Sequence, residues 1–210
     1  EDIDLLAIPM DAETDPRAEK TYDLLAAGET TGVFQLEGGG MRRYIRDLKP
    51  TVFNDIVAMV ALYRPGPMEH IPTFIESKHG RMEISYPHPA LEDILRDTYG
   101  VIVFQDQVLF IVREFAGYSL GQADIFRKAM GKKIASVMRK EKQHFLEGAQ
   151  KLGYSAELAE QIFELIEPFA GYAFNRAHSA SYALVAYQTA YLKANYSAEY
   201  MTAFLTVHAG

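Results

Sequence analysis

Apolar residues recur at helical spacing in one segment after another, and most segments are closed by glycine or proline. This punctuation constrains the fold most, because a period near 3.6 with regular stops specifies a set of packed helices rather than a sheet. The spacing predicts helices over 17–27, 41–48, 53–62, 71–78, 91–96 and 107–115, with stops at Gly28, Pro50, Pro65, Gly80 and Gly117. Ser119 followed by Gln122 is a capping box, in which hydroxyl and amide satisfy free N–H groups. It opens a helix to Met130, and another follows from Ile134 to Leu152. Ser155, Asn175 and Ser197 are read as caps of the last three. Gly32–Leu36 and Val101–Phe104 are β-prone and read as short strands. The expected class is therefore mainly α, a multi-helix domain with one or two short strands. The extended Tyr86–Pro89 stretch is taken as an internal boundary, giving subregions 1–88 and 89–210 or one continuous domain.

Composition removes several alternatives. There are no cysteines, so disulfide scaffolds, thiolate zinc sites and cysteine nucleophiles are excluded. No apolar run approaches the roughly 20 residues of a membrane helix. The first residue is Glu1 rather than methionine, which suits either a processed chain or part of a longer one.

Enzyme signatures fail on context. Gly38-Gly39-Gly40 is no dinucleotide fingerprint, because Arg43 occupies the third glycine position. Gly131-Lys132-Lys133 lacks the earlier glycine of a phosphate loop, where Phe126 stands. Gly117-Tyr118-Ser119-Leu120-Gly121 matches a nucleophile elbow, but a helix precedes it where the elbow needs a strand. The six histidines form no pair at helical ligand spacing, so no metal site is expected. Asp2-Ile3-Asp4 is the one Asp-x-Asp, and its terminal place suits a catalytic metal pair badly.

The charge map is more informative. The net charge of −7 argues against a polyanion partner when taken as a total. Yet Arg127, Lys128, Lys132, Lys133, Arg139, Lys140, Lys142 and Lys151 face only Glu141 and Glu147 in their window, which is +6 and leaves −13 elsewhere. A smaller cluster holds Arg42, Arg43, Arg46 and Lys49 against Asp47. Cations at helix C-termini explain part of the first cluster. Concentrated positive charge on an acidic body also fits polyanion recognition. A third feature is Asn175 to Tyr182, where a helix N-terminus offers free N–H groups beside Arg176 and His178. Ser179 and Tyr182 are read as sharing a face, and alanines at 177, 180, 183 and 186 keep the helix slim enough for close approach. The residues alone leave a phosphate site and a small-residue helix contact equally open.

Seven motifs occur together and in order: Thr31-Gly-Val-Phe-Gln-Leu-Glu37, Ala61-Leu-Tyr-Arg-Pro-Gly-Pro67, Lys78-His-Gly-Arg81, Arg127-Lys-Ala-Met-Gly-Lys-Lys133, Phe169-Ala-Gly-Tyr172, Phe174-Asn-Arg-Ala-His178 and Tyr182-Ala-Leu-Val-Ala-Tyr-Gln-Thr189. With them the chain resembles, over essentially its whole length, the fingers of the alpha subunit of bacterial DNA polymerase III, the C-family replicative polymerase. The resemblance implies a DNA-directed DNA polymerase, a nucleotidyltransferase of DNA replication in the bacterial cytoplasm, associated with the nucleoid. It implies that catalytic aspartates and two Mg²⁺ belong to a palm outside this sequence, so this chain alone is not expected to be catalytic. Implied partners are template–primer DNA, dNTP, and the palm and thumb of the same polypeptide. The sliding clamp and other replisome subunits would be engaged through other regions.

Carried over by motif, Arg127, Lys128, Lys132, Lys133, Asn175, Arg176, His178, Ser179 and Tyr182 are the implied dNTP-binding residues. The family usually has a second arginine where Lys128 stands, and commonly a lysine where Arg176 stands. Arg64 is implied as a phosphate or hinge contact, and Arg139, Lys140 and Lys142 as DNA-facing cations. The competing readings are a helical protein–protein module with an incidental basic helix, and a self-sufficient phosphoryl-transfer domain.

Overall fold

The structure, a computed structural model, describes residues 3–132, 134–170 and 173–209. Asp2, Lys133, Gly171 and Tyr172 lie outside the described residues. In chain order the helices are α1 (Pro16–Ala26), α2 (Gly39–Leu48), α3 (Phe53–Leu62), α4 (Ile71–Lys78), α5 (Ala90–Leu95) and α6 (Gln105–Ala116). They continue with α7 (Leu120–Gly131), α8 (Ala135–Lys151), α9 (Ala156–Ala170), α10 (Arg176–Asn195) and α11 (Ser197–His208). Short 3-10 turns occupy Pro67–His70 and Arg96–Thr98. The mainly α class is as the spacing predicts. The glycine stops hold as well: Gly28, Gly80 and Gly117 carry positive φ just past a helix end, and Gly153 does the same after α8, where glycine closes a helix without a Cβ clash. Among the described residues no helix is long and apolar enough to cross a membrane.

Neither expected strand forms among the described residues. Residues 32–36 make consecutive turns, with Val33 N–H donating to Thr30 O (2.9 Å) and Leu36 N–H to Val33 O (3.1 Å). Val101–Phe104 is extended, yet it makes one isolated parallel bridge, from Phe104 to Phe174. The physical reason is Gln107. Its Oε1 accepts from Val103 N–H (2.8 Å) and Phe104 N–H (2.9 Å), and its Nε2 donates to Thr98 Oγ1 (2.7 Å). A buried side-chain amide thus fills the role that a neighbouring strand would play.

The chain divides into two compact units, residues 1–63 with 177–210, and residues 64–176. The second division falls in the first turn of α10, and the Tyr86–Pro89 stretch lies within the second unit.

In the first unit α10 buries Ala183, Ala186, Tyr187, Ala190, Tyr191 and Ala194, a stripe at helical period. Tyr187 meets Tyr22 of α1 at 5.4 Å and Phe53 of α3 edge-on at 6.3 Å between ring centroids. The small side chains therefore admit the unit's own helices. Asp55 caps α3 from inside, its Oδ2 accepting from Thr51 N–H (2.9 Å) and Val52 N–H (3.3 Å). Ser197 is the first residue of α11 rather than its cap; Tyr196 holds the cap position and supplies no side-chain acceptor.

In the second unit α6 to α9 surround an aromatic centre. Phe126 of α7, Phe145 of α8 and Phe163 of α9 lie 5.7 to 6.4 Å apart pairwise. All three are essentially inaccessible to solvent. Helix α8 crosses α6 closely at Gly148, where an added Cβ would lie 2.4 Å from the Ala116 carbonyl oxygen. Capping is as expected here. Ser119 Oγ accepts from Gln122 N–H (3.3 Å), Gln122 Oε1 accepts from Ser119 N–H (2.9 Å), and Ser155 Oγ accepts from Leu158 N–H (3.2 Å).

Candidate functional site

The last two turns of α7 bring two cations onto one carboxylate. Asp124 lies three residues before Arg127 and four before Lys128, so all three share a helix face. Arg127 Nη2 lies 2.9 Å from Asp124 Oδ1, and Lys128 Nζ lies 2.6 Å from Oδ2. The Lys128 hydrogen bond first, and then that of Arg127, holds the Asp124 carboxyl below its ordinary range. Arg127 packs down, with its side chain 21% exposed, whereas Lys128 is 63% exposed. Lys132 follows at the exposed end of the same helix. Lys133 is outside the described residues.

The three cations of α8 divide. Arg139 and Lys140 are exposed and form no ion pair with any described residue. Lys142 instead reaches α9, with Nζ 2.6 Å from Glu160 Oε1 and 5.7 Å from the centre of the Phe163 ring. The Glu160 hydrogen bond raises the Lys142 pKa, with Glu164 and Glu167 adding to it. Lys142 is thus engaged inside the second unit, which the spacing of charges along the sequence did not reveal.

Residues 173–176 dock onto the start of α6. Phe174 N–H donates to Val103 O (3.0 Å), Gln105 N–H donates to Phe174 O (2.9 Å), and Gln105 Nε2 donates to Ala173 O (3.1 Å). Two arginines cover this junction. The Arg64 guanidinium sits 4.7 Å from the centre of the Phe174 ring, and that of Arg176 sits 5.2 Å from that of Phe104. Burial lowers the Arg64 pKa. Arg176 also pairs with Asp97 at 3.1 Å and stands 4.0 Å from Asp106. Asn175 is exposed beside it.

In the first unit, Ser179 and Tyr182 do not share a face. Ser179 is fully buried, and its hydroxyl donates to the Val57 carbonyl of α3 at 2.6 Å. Tyr182 is 38% exposed and lies 4.5 Å from the His178 ring, one turn earlier. A third ring completes the row. Phe34, 38% exposed, has its centroid 5.7 Å from that of Tyr182. Sequence reasoning passed over Phe34 because a strand was expected there. Asp124, Asp97 and Asp106 join the site through their ion pairs with Arg127, Lys128 and Arg176. For Asp124, its spacing of three and four residues from Arg127 and Lys128 is the signal the sequence offers.

Among the described residues no three carboxylates or imidazoles gather where a metal ion could be held. No metal chemistry is assigned to the described residues.

Fold and cations together place the chain among helical domains with cations clustered along two consecutive helices, α7 and α8. Its sequence narrows the class further. The profile of the bacterial DNA polymerase III alpha subunit finger domain matches residues 1–153. The chain belongs to this family. It is 54% identical, over 88% of its length, to the DNA polymerase III subunit alpha of Halalkalibacterium halodurans. To the same subunit of Escherichia coli strain K12 it is 50% identical over 97% of its length, and to that of Bacillus subtilis 50% over 90%. The matched region spans 16%, 18% and 17% of these three relatives.

Proposed function

We propose that this chain acts as the fingers of a DNA-directed DNA polymerase, binding the triphosphate of the incoming dNTP and the template–primer DNA. The palm and thumb of the longer subunit supply the rest of the reaction site, including the two Mg²⁺ and the aspartates that hold them. The sliding clamp and other replisome subunits are engaged by other regions, in the bacterial cytoplasm. The observation that carries this reading is the convergence of Arg127 and Lys128 on Asp124. One carboxylate gathers two cations at the head of a strongly basic stretch. A phosphate group, with more charge and more acceptor oxygens, competes well for the same donors. In phosphoryl transfer, negative charge spreads over the phosphoryl oxygens, so cations already aimed at that place lower the barrier. Arg127 can present a two-pronged contact, and Lys128 a point charge.

Of the α8 cations that would face DNA, Arg139 and Lys140 are exposed with no ion pair among the described residues, whereas Lys142 rests on Glu160. Arg176, His178 and Tyr182 belong to the nucleotide side, with Asn175 at the start of α10. Ser179 supports that helix from within. The test is single-nucleotide insertion by the full-length subunit carrying Arg127→Ala. Loss of one transition-state contact lowers kcat/KM for dNTP by roughly 10²–10³-fold. An unchanged kcat/KM removes Arg127 from the site and with it this reading of α7.

A further inference from the structure

The loop joining α1 to α2 is braced from several sides, yet it leaves one aromatic ring outside. Val33 and Leu36 are fully buried, while Phe34 between them is exposed. The bracing comes from three helices. Lys193 of α10 donates from Nζ to Glu29 O (2.6 Å) and Thr31 O (2.8 Å). Tyr200 of α11 donates its hydroxyl to Gly32 O (2.7 Å), and Arg42 of α2 donates from Nη2 to Thr31 Oγ1 (2.9 Å) and Glu37 O (3.2 Å). Within the loop, Gly32 N–H donates to Glu37 Oε2 (3.1 Å), and Gln35 takes a left-handed φ of 63°. That conformation is unfavourable for a side chain with a Cβ and persists only where the surroundings impose it.

The outcome of this bracing is a placed ring. Residues 178, 182, 185 and 189 form one stripe along α10. Phe34 runs beside it, with its N–H donating to Thr189 Oγ1 (3.1 Å) and its ring against Tyr182. The Thr189 hydroxyl is itself fixed, because it bonds the Val185 and Ala186 carbonyls at 3.0 and 2.9 Å. Tyr182 therefore sits between two rings, His178 at 4.5 Å and Phe34 at 5.7 Å. Val185, the next member of the stripe, is also exposed. Exposed side chains beside a strained loop contribute little to a core. The contact with Phe34 does restrict the rotamers of Tyr182, and an oriented, partly exposed ring is what base stacking requires.

We propose that Phe34 is a positioning residue: its ring fixes Tyr182 in the orientation that stacks on the nucleobase of the bound nucleotide. The proposal rests on the nucleotide-site reading above and assigns no contact between Phe34 and the phosphates. A stacking surface accepts all four bases, since each presents a π face. The loss should therefore fall on nucleotide affinity, alike for every base, and leave the phosphoryl-transfer step nearly unchanged.

The experiment uses the full-length subunit with primer–template in single-nucleotide insertion. Phe34→Ala and Phe34→Leu are expected to raise KM for each dNTP about three- to tenfold, with kcat within about twofold of wild type, and Phe34→Tyr to restore KM. Because this chain contains no tryptophan, Phe34→Trp adds a reporter, read as the emission of the variant minus that of wild type. On a dideoxy-terminated primer, dNTP should quench this signal and inorganic tripolyphosphate should not. Wild-type KM in Phe34→Leu shows that the ring is not needed and overturns the proposal. So does a fall in kcat together with melting temperature, or quenching by tripolyphosphate equal to that by dNTP. If Arg127→Ala lowers kcat/KM for dNTP while Phe34→Ala leaves KM unchanged, the role of Phe34 alone is overturned. If neither variant acts, the nucleotide-site reading is overturned along with it.

Discussion

At the scale of single residues, the side chains that matter most to this structure are polar groups with several obligations at once. Gln107 is the clearest. It is 1% exposed and holds the backbone of Val103 and Phe104 while bonding Thr98. Gln107→Leu keeps the bulk but strands two buried N–H groups, each costing roughly 1–3 kcal/mol. The added apolar contact cannot offset that, because the lost bonds have no water to replace them. The expected result is a loss of about 2–6 kcal/mol in stability, with amide-exchange protection falling first at Val103 and Phe104. Protection unchanged at those two amides would show that the segment is held by its apolar packing instead. Asp124 carries a comparable double obligation at the surface, where it collects Arg127 and Lys128. Both residues were visible in the sequence as letters on a helix face. Their partners were not, because a polar side chain's target depends on what folding brings near it.

At the scale of elements, punctuation and capping carried most of the information. The predicted limits of Phe53–Leu62 and Ile71–Lys78 coincide with α3 and α4, and the box at Ser119 and Gln122 forms as expected. These features are legible because they are local: a cap needs only its own next three residues. The two strands were misread for the opposite reason. Whether an extended segment pairs with a strand is decided elsewhere in the chain, here by Gln107 and by Phe174. Helix packing is also nonlocal, and Gly148 shows what that hides. On propensity alone Gly148→Ala should stabilise α8 by about 1 kcal/mol. The structure reverses the sign, since the new Cβ would meet the Ala116 carbonyl at 2.4 Å and neither backbone can step aside cheaply. Overpacking of this kind costs roughly 1–3 kcal/mol or more. A net loss is expected in chemical denaturation, and Gly148→Ala more stable than wild type would show that α6 and α8 can separate freely.

At the scale of the whole molecule the distribution of charge says more than its sum. The total of −7 conceals a window of +6 between Arg127 and Lys151. The structure sorts that window further, since Arg127 and Lys128 share Asp124 and Lys142 is taken by Glu160. Arg139 and Lys140 remain exposed on α8 without an ion pair among the described residues. The sequence made the cluster legible but not this division, because an ion pair between helices depends on their packing. If α8 meets the DNA backbone, each of these two cations displaces about one condensed counterion. Lys140→Ala in the full-length subunit should then weaken template–primer binding to a similar degree on every sequence. It should also reduce the slope of log K against log salt by about one. Lys142→Ala makes the internal contrast. It breaks the contact with Glu160 and should lower thermal stability while leaving the salt slope nearly unchanged, since an engaged lysine releases no counterion. An unchanged slope in Lys140→Ala returns α8 to a solvated face. Equal slope changes in both variants would mean that Lys142 leaves Glu160 when DNA binds, and that its ion pair is a resting arrangement rather than a structural one.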